Sequence, residues 1–316
     1  MTVTEKDIER AWDDPKLANI IYHDWEASTY DEKWSISYDE RCIAYARQRF
    51  EHVYGTVGQP FARSLEIGAG TGFFTLNLML GGVITEGHIT DLSPRMVEVA
   101  LRNGAGLDLN VDGKAADAEE LPYPDESFDL VCGHAVLHHI PDLDLAMAEV
   151  LRVLKPGGVF IFAGEPTARG DLVARGLSRL TWKAAKKLTS FGPLKSRYGR
   201  QSTEIQELER EAMLEAVVDI HTFDPADLAR ICLRAGAIDV KIATDEFTAS
   251  WFGWPVRTVE AAVRPGSLGW NWYRFAYRGW TGLNWVDGKV WSNVVPDQFF
   301  YNVSVSGTKA PVLVLP

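Results

Sequence analysis

The chain of 316 residues is 46% hydrophobic and 24% charged, a composition that suits a globular core and excludes a disordered or fibrous chain. Its formal net charge of -11 argues against a general nucleic-acid binder, because neutralising phosphates takes a basic surface. Cys42, Cys132 and Cys232 have neither metal-site nor disulfide spacing, and the charged start "MTVTEKDIER" lacks an apolar leader, so a cytoplasmic protein without a metal site is expected.

Residues 22–40, "YHDWEASTYDEKWSISYDE", are dense in aromatic rings and run into a helix expected over 40–53. Short apolar runs then alternate with longer periodic ones. Those at 63–67, 87–91, 107–116, 128–133 and 157–164 have the length and branching of buried strands. The helix after Ser93 opens with an N-cap serine and Pro94 at its first position, and Gly104 is expected just past its end. Another helix, over 142–154, carries an apolar stripe and stops at "KPGG", where Pro156 and two glycines cannot continue it. Residues 224–244 read as a capped helix, a stop at Gly236 and a sixth strand; the last strand lies within 299–311. This alternation predicts an α/β fold, a doubly wound and mostly parallel seven-stranded sheet with helices on both faces. One domain is expected, made of an N-terminal lid and helix (1–59), a core (60–165), a helical insertion (166–223), a core helix and strand (224–246), a tryptophan-rich insertion (247–298) and a final strand with its tail (299–316).

In an open parallel sheet, ligands sit beyond the carboxyl ends of the strands, where helix N-terminal amides attract anionic groups. The turn "LEIGAGTGFF" over 65–74 stands at such a place, and Gly68, Gly70 and Gly72 let a ligand approach bare backbone. A dinucleotide fingerprint needs its third glycine at position 73, which is Phe73, so a nicotinamide-dependent oxidoreductase is disfavoured. The spacing of Glu66, Gly68, Gly70 and Gly72 instead resembles the first motif of the class I S-adenosylmethionine-dependent methyltransferases. "HITDLSPRMVEVA", "AADAEELPYPDESFDLV", "FDLVCGHAVLHHIPD" and "EVLRVLKPGGVFIF" resemble the family's later motifs in order. The likeness is close over 60–165, and nearest in style to the ubiquinone- and menaquinone-biosynthesis (methyltransferase type 11) group, which is too broad to fix a substrate.

The resemblance implies a Rossmann-like fold and S-adenosyl-L-methionine as cofactor. The cofactor site it implies consists of Tyr30, Glu66, Gly68, Ala69, Gly70, Gly72, Asp91, Leu92, Met96, Asp117, Ala118 and His134. Asp91 would accept from both ribose hydroxyls. Asp117 would accept from the adenine amino group, and Glu66 with the glycine amides would face the amino acid part. Methyl transfer from a sulfonium is an in-line displacement that the protein chiefly aligns and desolvates, so a general base is optional and matters for a hydroxyl acceptor. His134, His138 and Glu165 are the catalytic candidates. His138 and His139 recur in the family, and bracing of the following helix competes with a catalytic role for each; for Glu165 base, anchor and loop carboxylate all stay open. Tyr30, of the "YD" pair, is assigned to a lid that Trp34 and Tyr38 join, while Trp25 is expected to pack the helix.

Both insertions leave the carboxyl ends of parallel strands, which sets them over the cofactor. The second holds Trp251, Trp254, Trp270, Trp272, Trp280, Trp285 and Trp291, either an aromatic wall for an apolar or planar acceptor or a satellite core in a lid without regular structure. In the first, Val173, Leu177, Leu180, Ala184 and Leu188 form an apolar stripe, with Arg175, Arg179, Lys183, Lys186 and Lys187 mostly off it. The basic helix 171–188 is an amphipathic lid or a membrane-surface contact. A Thr203/Gln206 capping pattern opens an acidic helix after it. The expected activity is methyl transfer to a small, mainly apolar molecule: a lipid, a quinone or an aromatic natural product. The alternatives are a non-catalytic cofactor-binding protein on the same fold and, less favoured, the oxidoreductase.

Overall fold

The computed structural model describes residues 11, 13–201, 204, 205, 208 and 217–311; the Thr203/Gln206 pattern lies outside them. Seven strands form one sheet: β1 (Phe61–Ile67), β2 (Ile84–Asp91), β3 (Val111–Ala115), β4 (Phe128–His134), β5 (Leu154–Pro166), β6 (Ala237–Asp245) and β7 (Asn302–Lys309). Their order is β3-β2-β1-β4-β5-β7-β6. The first five pair in parallel, and β7 runs antiparallel between β5 and β6.

Alternate residues of the central strands feed two cores, as expected for a sheet covered on both faces. Val131, Phe160 and Phe162 face one core, which α6 (Leu143–Val153) and α9 (Pro225–Arg234) cover. Leu130, Cys132, Val159 and Ile161 face the other, covered by α3 (Glu40–Tyr54) and α4 (Phe73–Leu80). Helix starts follow the local chemistry: Ser93 caps α5 (Pro94–Gly106), Asp142 caps α6 and Asp224 caps α9 through side-chain acceptors. Two short N-terminal helices, α1 (Pro15–Glu26) and α2 (Tyr30–Trp34), precede the sheet; α1 packs on α5. The chain order reverses between β1 and β4, and both insertions emerge at that same carboxyl edge.

Three expectations are corrected. β3 is shorter than 107–116 because α5 continues to Gly106 and Asp108 turns with a φ of 56°. Gly104 lies inside α5 and not beyond it, since an added Cβ would meet Val111 Cγ1 at 2.3 Å; the glycine lets the helix seat on β3. The tryptophan-rich insertion has regular structure, folding as α10 (Thr248–Ala262) and α11 (Trp270–Lys289). The basic segment is α7 (Ala168–Thr189), followed by α8 (Gly192–Tyr198); α10 packs between α7 and α11.

Gly104→Ala gains roughly 1 kcal/mol of helix propensity. Overpacking against β3 should outweigh that gain, leaving the variant less stable by about 1 kcal/mol in urea unfolding. A variant more stable than the parent would show that β3 is not seated through this glycine.

Candidate functional site

Beyond Ile67 the chain turns through Gly68, Gly70 and Gly72 at φ values of 59°, 54° and 88°, then enters α4. These are left-handed values that glycine adopts without cost. A Cβ on Gly68 would stand 2.0 Å from Val136 Cγ2, so the turn closes directly on the loop after β4. Asp91 ends β2 and accepts the Gly70 and Ser93 amides, each at 2.8 Å. It therefore ties the glycine turn to the first residue of the α5 cap. Glu66 is buried beneath the turn and accepts the Thr75 amide at 2.9 Å.

The electrostatics of this pocket are one-sided. Burial, helped by the charge of Asp91, pushes the Glu66 carboxyl up to about 8, against the pull of Thr75. Burial also raises the Asp91 pKa, although His23 first and then the Ser93 and Gly70 amides oppose it. Among the described residues neither carboxyl pairs with a lysine or arginine, and only Asp91 has a nearby histidine, His23, that favours its ionised form. S-adenosyl-L-methionine brings an ammonium, a sulfonium and two hydroxyl donors, so its chemistry fits this donor and acceptor set.

The lid residues reach the turn by specific bonds. Asp31 accepts from Thr71 Oγ1 at 2.5 Å and from Asn103 Nδ2 at 3.2 Å. Tyr38 donates its hydroxyl to the Thr71 carbonyl at 3.1 Å, while Asn103 donates to the Tyr38 oxygen at 2.9 Å. Tyr30 Cε1 lies 3.8 Å from where a Cβ of Gly70 would be. Trp34 sits between Lys33 and Arg257, whose charges are each 5.1 Å from its ring, and Trp25 packs in a small cluster with Tyr22. From α1, Asp24 accepts from Ser93 Oγ at 2.5 Å, and Lys16 pairs with Asp117 and Glu119 at 2.6 and 2.5 Å. Ala118 packs on the core, Met96 is buried in the first turn of α5, and Leu92 is half-buried beside Asp91. Sequence reasoning missed Lys16, Asp24, Asp31 and Asn103. Only Asp31 had a signal, as the second half of "YD".

Glu165, buried at the end of β5, accepts from the amides of Val136, Leu137 and His138 at 2.9, 3.0 and 3.2 Å and from His138 Nδ1 at 2.8 Å. It clamps the 3-10 turn Leu137–His139. Burial opposes both charges of this pair, yet mutual attraction wins: the His138 pKa is raised and that of Glu165 lowered. The His139 ring lies 3.9 Å from that of His138; burial first, and then the charge of His138, hold its pKa down. His138, His139 and Asp219 bring ligand atoms within 4.8 Å of one another. Nδ1 of His139 donates to the Val218 carbonyl at 2.9 Å, which fixes the tautomer of that ring and leaves Nε2 as its acceptor nitrogen.

His134 faces a different environment. Its Nε2 is 3.4 Å from the Tyr45 hydroxyl, and its ring is 5.4 Å from those of Phe73 and Phe74. Burial, and secondarily the Arg49 charge, lower its pKa to about 4, so it is neutral at pH 7. Arg49 lies 4.9 Å over the Tyr45 ring and is pinned by Asp245 and Glu246, each at 2.5 Å. Trp280 donates to Glu246 at 3.2 Å with its ring 6.3 Å from Tyr45, which brings the second insertion to the site. Trp251 and Trp291 instead flank Phe247 in a satellite cluster on Phe300.

Residues 65–162 match a family model described as a methyltransferase domain. The malonyl-[acyl-carrier protein] O-methyltransferase of Halorhodospira halophila is 39% identical over 101 residues, 32% of this chain and 34% of that protein. The ubiquinone/menaquinone biosynthesis C-methyltransferase of Shewanella halifaxensis is 31% identical over 137 residues, 42% of this chain and 54% of that protein. The chain thus spans about a third and about half of these two relatives. The structure of phosphoethanolamine N-methyltransferase 2 of Haemonchus contortus in complex with S-adenosyl-L-methionine superposes with a TM-score of 0.53 at 17% identity, over 91% of this chain and 57% of that one, a likeness of fold. Residues 65–162 are therefore a methyltransferase domain, and the chain has the fold of the class I S-adenosylmethionine-dependent methyltransferases.

Proposed function

We propose that this chain transfers the methyl group of S-adenosyl-L-methionine to a small, mainly apolar acceptor. The observation that carries the reading is the pair of buried carboxyls, Glu66 and Asp91, raised in pKa beneath a turn of bare glycine backbone. When bound, the cofactor supplies a methyl group activated by its sulfonium. Glu66 and Asp91 neutralise and orient the bound molecule, and Asp117, Ala118, Leu92 and Met96 border its adenosine. Tyr30 and the Asp31–Thr71–Tyr38 bonds close the N-terminal helices over the turn and exclude water.

An apolar acceptor is supported by the rings of Tyr45, Phe73 and Phe74 around His134, with Trp280 beside Tyr45. His134 is neutral there and can accept a hydrogen bond from an acceptor hydroxyl, although a pKa of about 4 makes it a weak base. Glu165 acts through others. It fixes the loop after β4 and aims His138, a positioning role.

Turnover of candidate quinols, lipids and aromatic hydroxyl compounds should yield S-adenosylhomocysteine. Asp91→Ala should weaken cofactor binding by roughly 2 kcal/mol in titration calorimetry, the loss of a charged hydrogen-bond pair. Unaltered affinity would remove Asp91 from the site. An ammonium placed near Glu66 lowers its pKa from about 8, so cofactor binding at pH 7 should release a proton. Calorimetry in buffers of different ionisation enthalpy reads that release, which should vanish in Glu66→Gln and above about pH 9.

The His138 and Glu165 pair has its own acid signature. A lowered carboxylate pKa contributes stability that is present above the unfolded value and is lost as pH falls through the folded one. His138→Ala removes a donor from buried Glu165, costs about 1–3 kcal/mol at pH 7, and should move the acid-unfolding midpoint upward. An unmoved midpoint would show that the pair does not hold the loop.

A further inference from the structure

The apolar stripe of α7 does not find a partner within the described fold. Leu172, Leu180 and Leu188 are 73%, 67% and 58% exposed, and past the helix end Phe191 and Leu194 also stand in solvent. Arg179, Lys183 and Lys187 are exposed on the same helix, and among the described residues no carboxylate lies within ion-pair distance of them. Residues 168–200 hold nine basic side chains and a single acid, Asp171, in a chain whose net charge is -11.

A second helix of the same layer repeats the pattern with aromatic rings. On α11, Trp270, Tyr273, Tyr277 and Trp285 recur at helical spacing along one face, and Trp270 and Trp285 are 75% and 65% exposed. Arg274 and Arg278 are exposed beside them. Solvent-facing leucine on α7 and tryptophan on α11, each beside arginine and with α10 packed between the two helices, make a poor water surface. Rings with a polar edge favour the headgroup level of a bilayer, and basic side chains favour anionic lipid. Among the described residues no helix is long and apolar enough to cross a membrane, so the contact is peripheral.

We infer that α7, α8 and α11 form a docking surface for an anionic lipid bilayer. Leucine and tryptophan side chains enter the interface while Arg179, Lys183 and Lys187 bind lipid headgroups. The charge complementarity selects this occupant. Both insertions leave the sheet at its carboxyl edge, so docking would bring a bilayer to the side of the sheet that carries the glycine turn and His134. The inference deepens the proposed function, because the acceptor would then be an amphiphile of that bilayer.

The test needs no turnover. The full chain is sedimented with phosphatidylcholine vesicles, with and without phosphatidylserine. Binding should require phosphatidylserine, weaken as salt rises, and fall roughly 100-fold in the triple variant R179Q/K183Q/K187Q. Trp270→Ala with Trp285→Ala should lower it further. Cofactor affinity, measured on the same variants by calorimetry, should be unchanged; its absence in the parent chain would sink the methyl-transfer reading and leave docking standing. Equal binding to neutral vesicles, or no binding at all, overturns the docking surface. So does binding that appears only after Glu207, Glu209 and Glu211 are replaced by Gln, because the acidic run of this chain would then be the occupant of the face.

Discussion

The constraint on which the site depends is the burial of two carboxyls under a turn that carries no side chains. Glu66 and Asp91 sit at the ends of neighbouring parallel strands and are held by amides of the glycine turn, α4 and the α5 cap. Backbone amides satisfy their hydrogen bonding without cancelling their charge. Burial raises the pKa of both, so a cation that approaches over the open backbone of the turn is favoured by each. The same bonds fix the strand ends to the helix starts. Geometry and charge are therefore one device.

Around that device the fold is arranged in shells of decreasing regularity. The parallel core presents strand ends, and the loop after β4 presses on the turn through Val136, with Glu165 clamping it from the next strand. The N-terminal helices come last, tied by Lys16, Asp24 and Asp31. Asp24 and Asp31 reach buried hydroxyls of Ser93 and Thr71, while the Lys16 pair is half-exposed and individually weak. His134 shows how position decides chemistry within one motif. It is four residues from His138, yet Arg49 and burial keep it neutral, whereas Glu165 favours charge on His138. Neighbouring histidines in one segment are thus set for different roles.

The mostly parallel sheet, the helix caps and the glycine turn were legible in the sequence because each rests on chemistry within a few residues. Strand length, Ser93 before Pro94, Asp224 before Pro225 and Gly236 as a stop all act locally, and parallel pairing with helical crossovers leaves few alternatives. The turn was legible since glycine alone tolerates φ values such as the 88° of Gly72. Where local signals misled, packing was the cause: Gly104 reads as a helix stop until Val111 is seen to occupy the space of its side chain.

What the tertiary structure alone decided is which distant groups meet. Lys16 on Asp117, Asp31 on Thr71 and Tyr45 on His134 join segments 101, 40 and 89 residues apart, and no periodicity encodes such encounters. It also decided the fate of the amphipathic helix. By itself the pattern of Leu180 and Leu188 among lysines says only that one face is apolar; whether that face is covered depends on neighbours supplied by other parts of the chain. The sequence thus determined the fold class and the carboxyl-lined glycine turn, because those follow from local conformational preference. The lid's ties, the protonation of each histidine and the exposed apolar face depend on burial and long-range contacts, which exist only once the chain has packed.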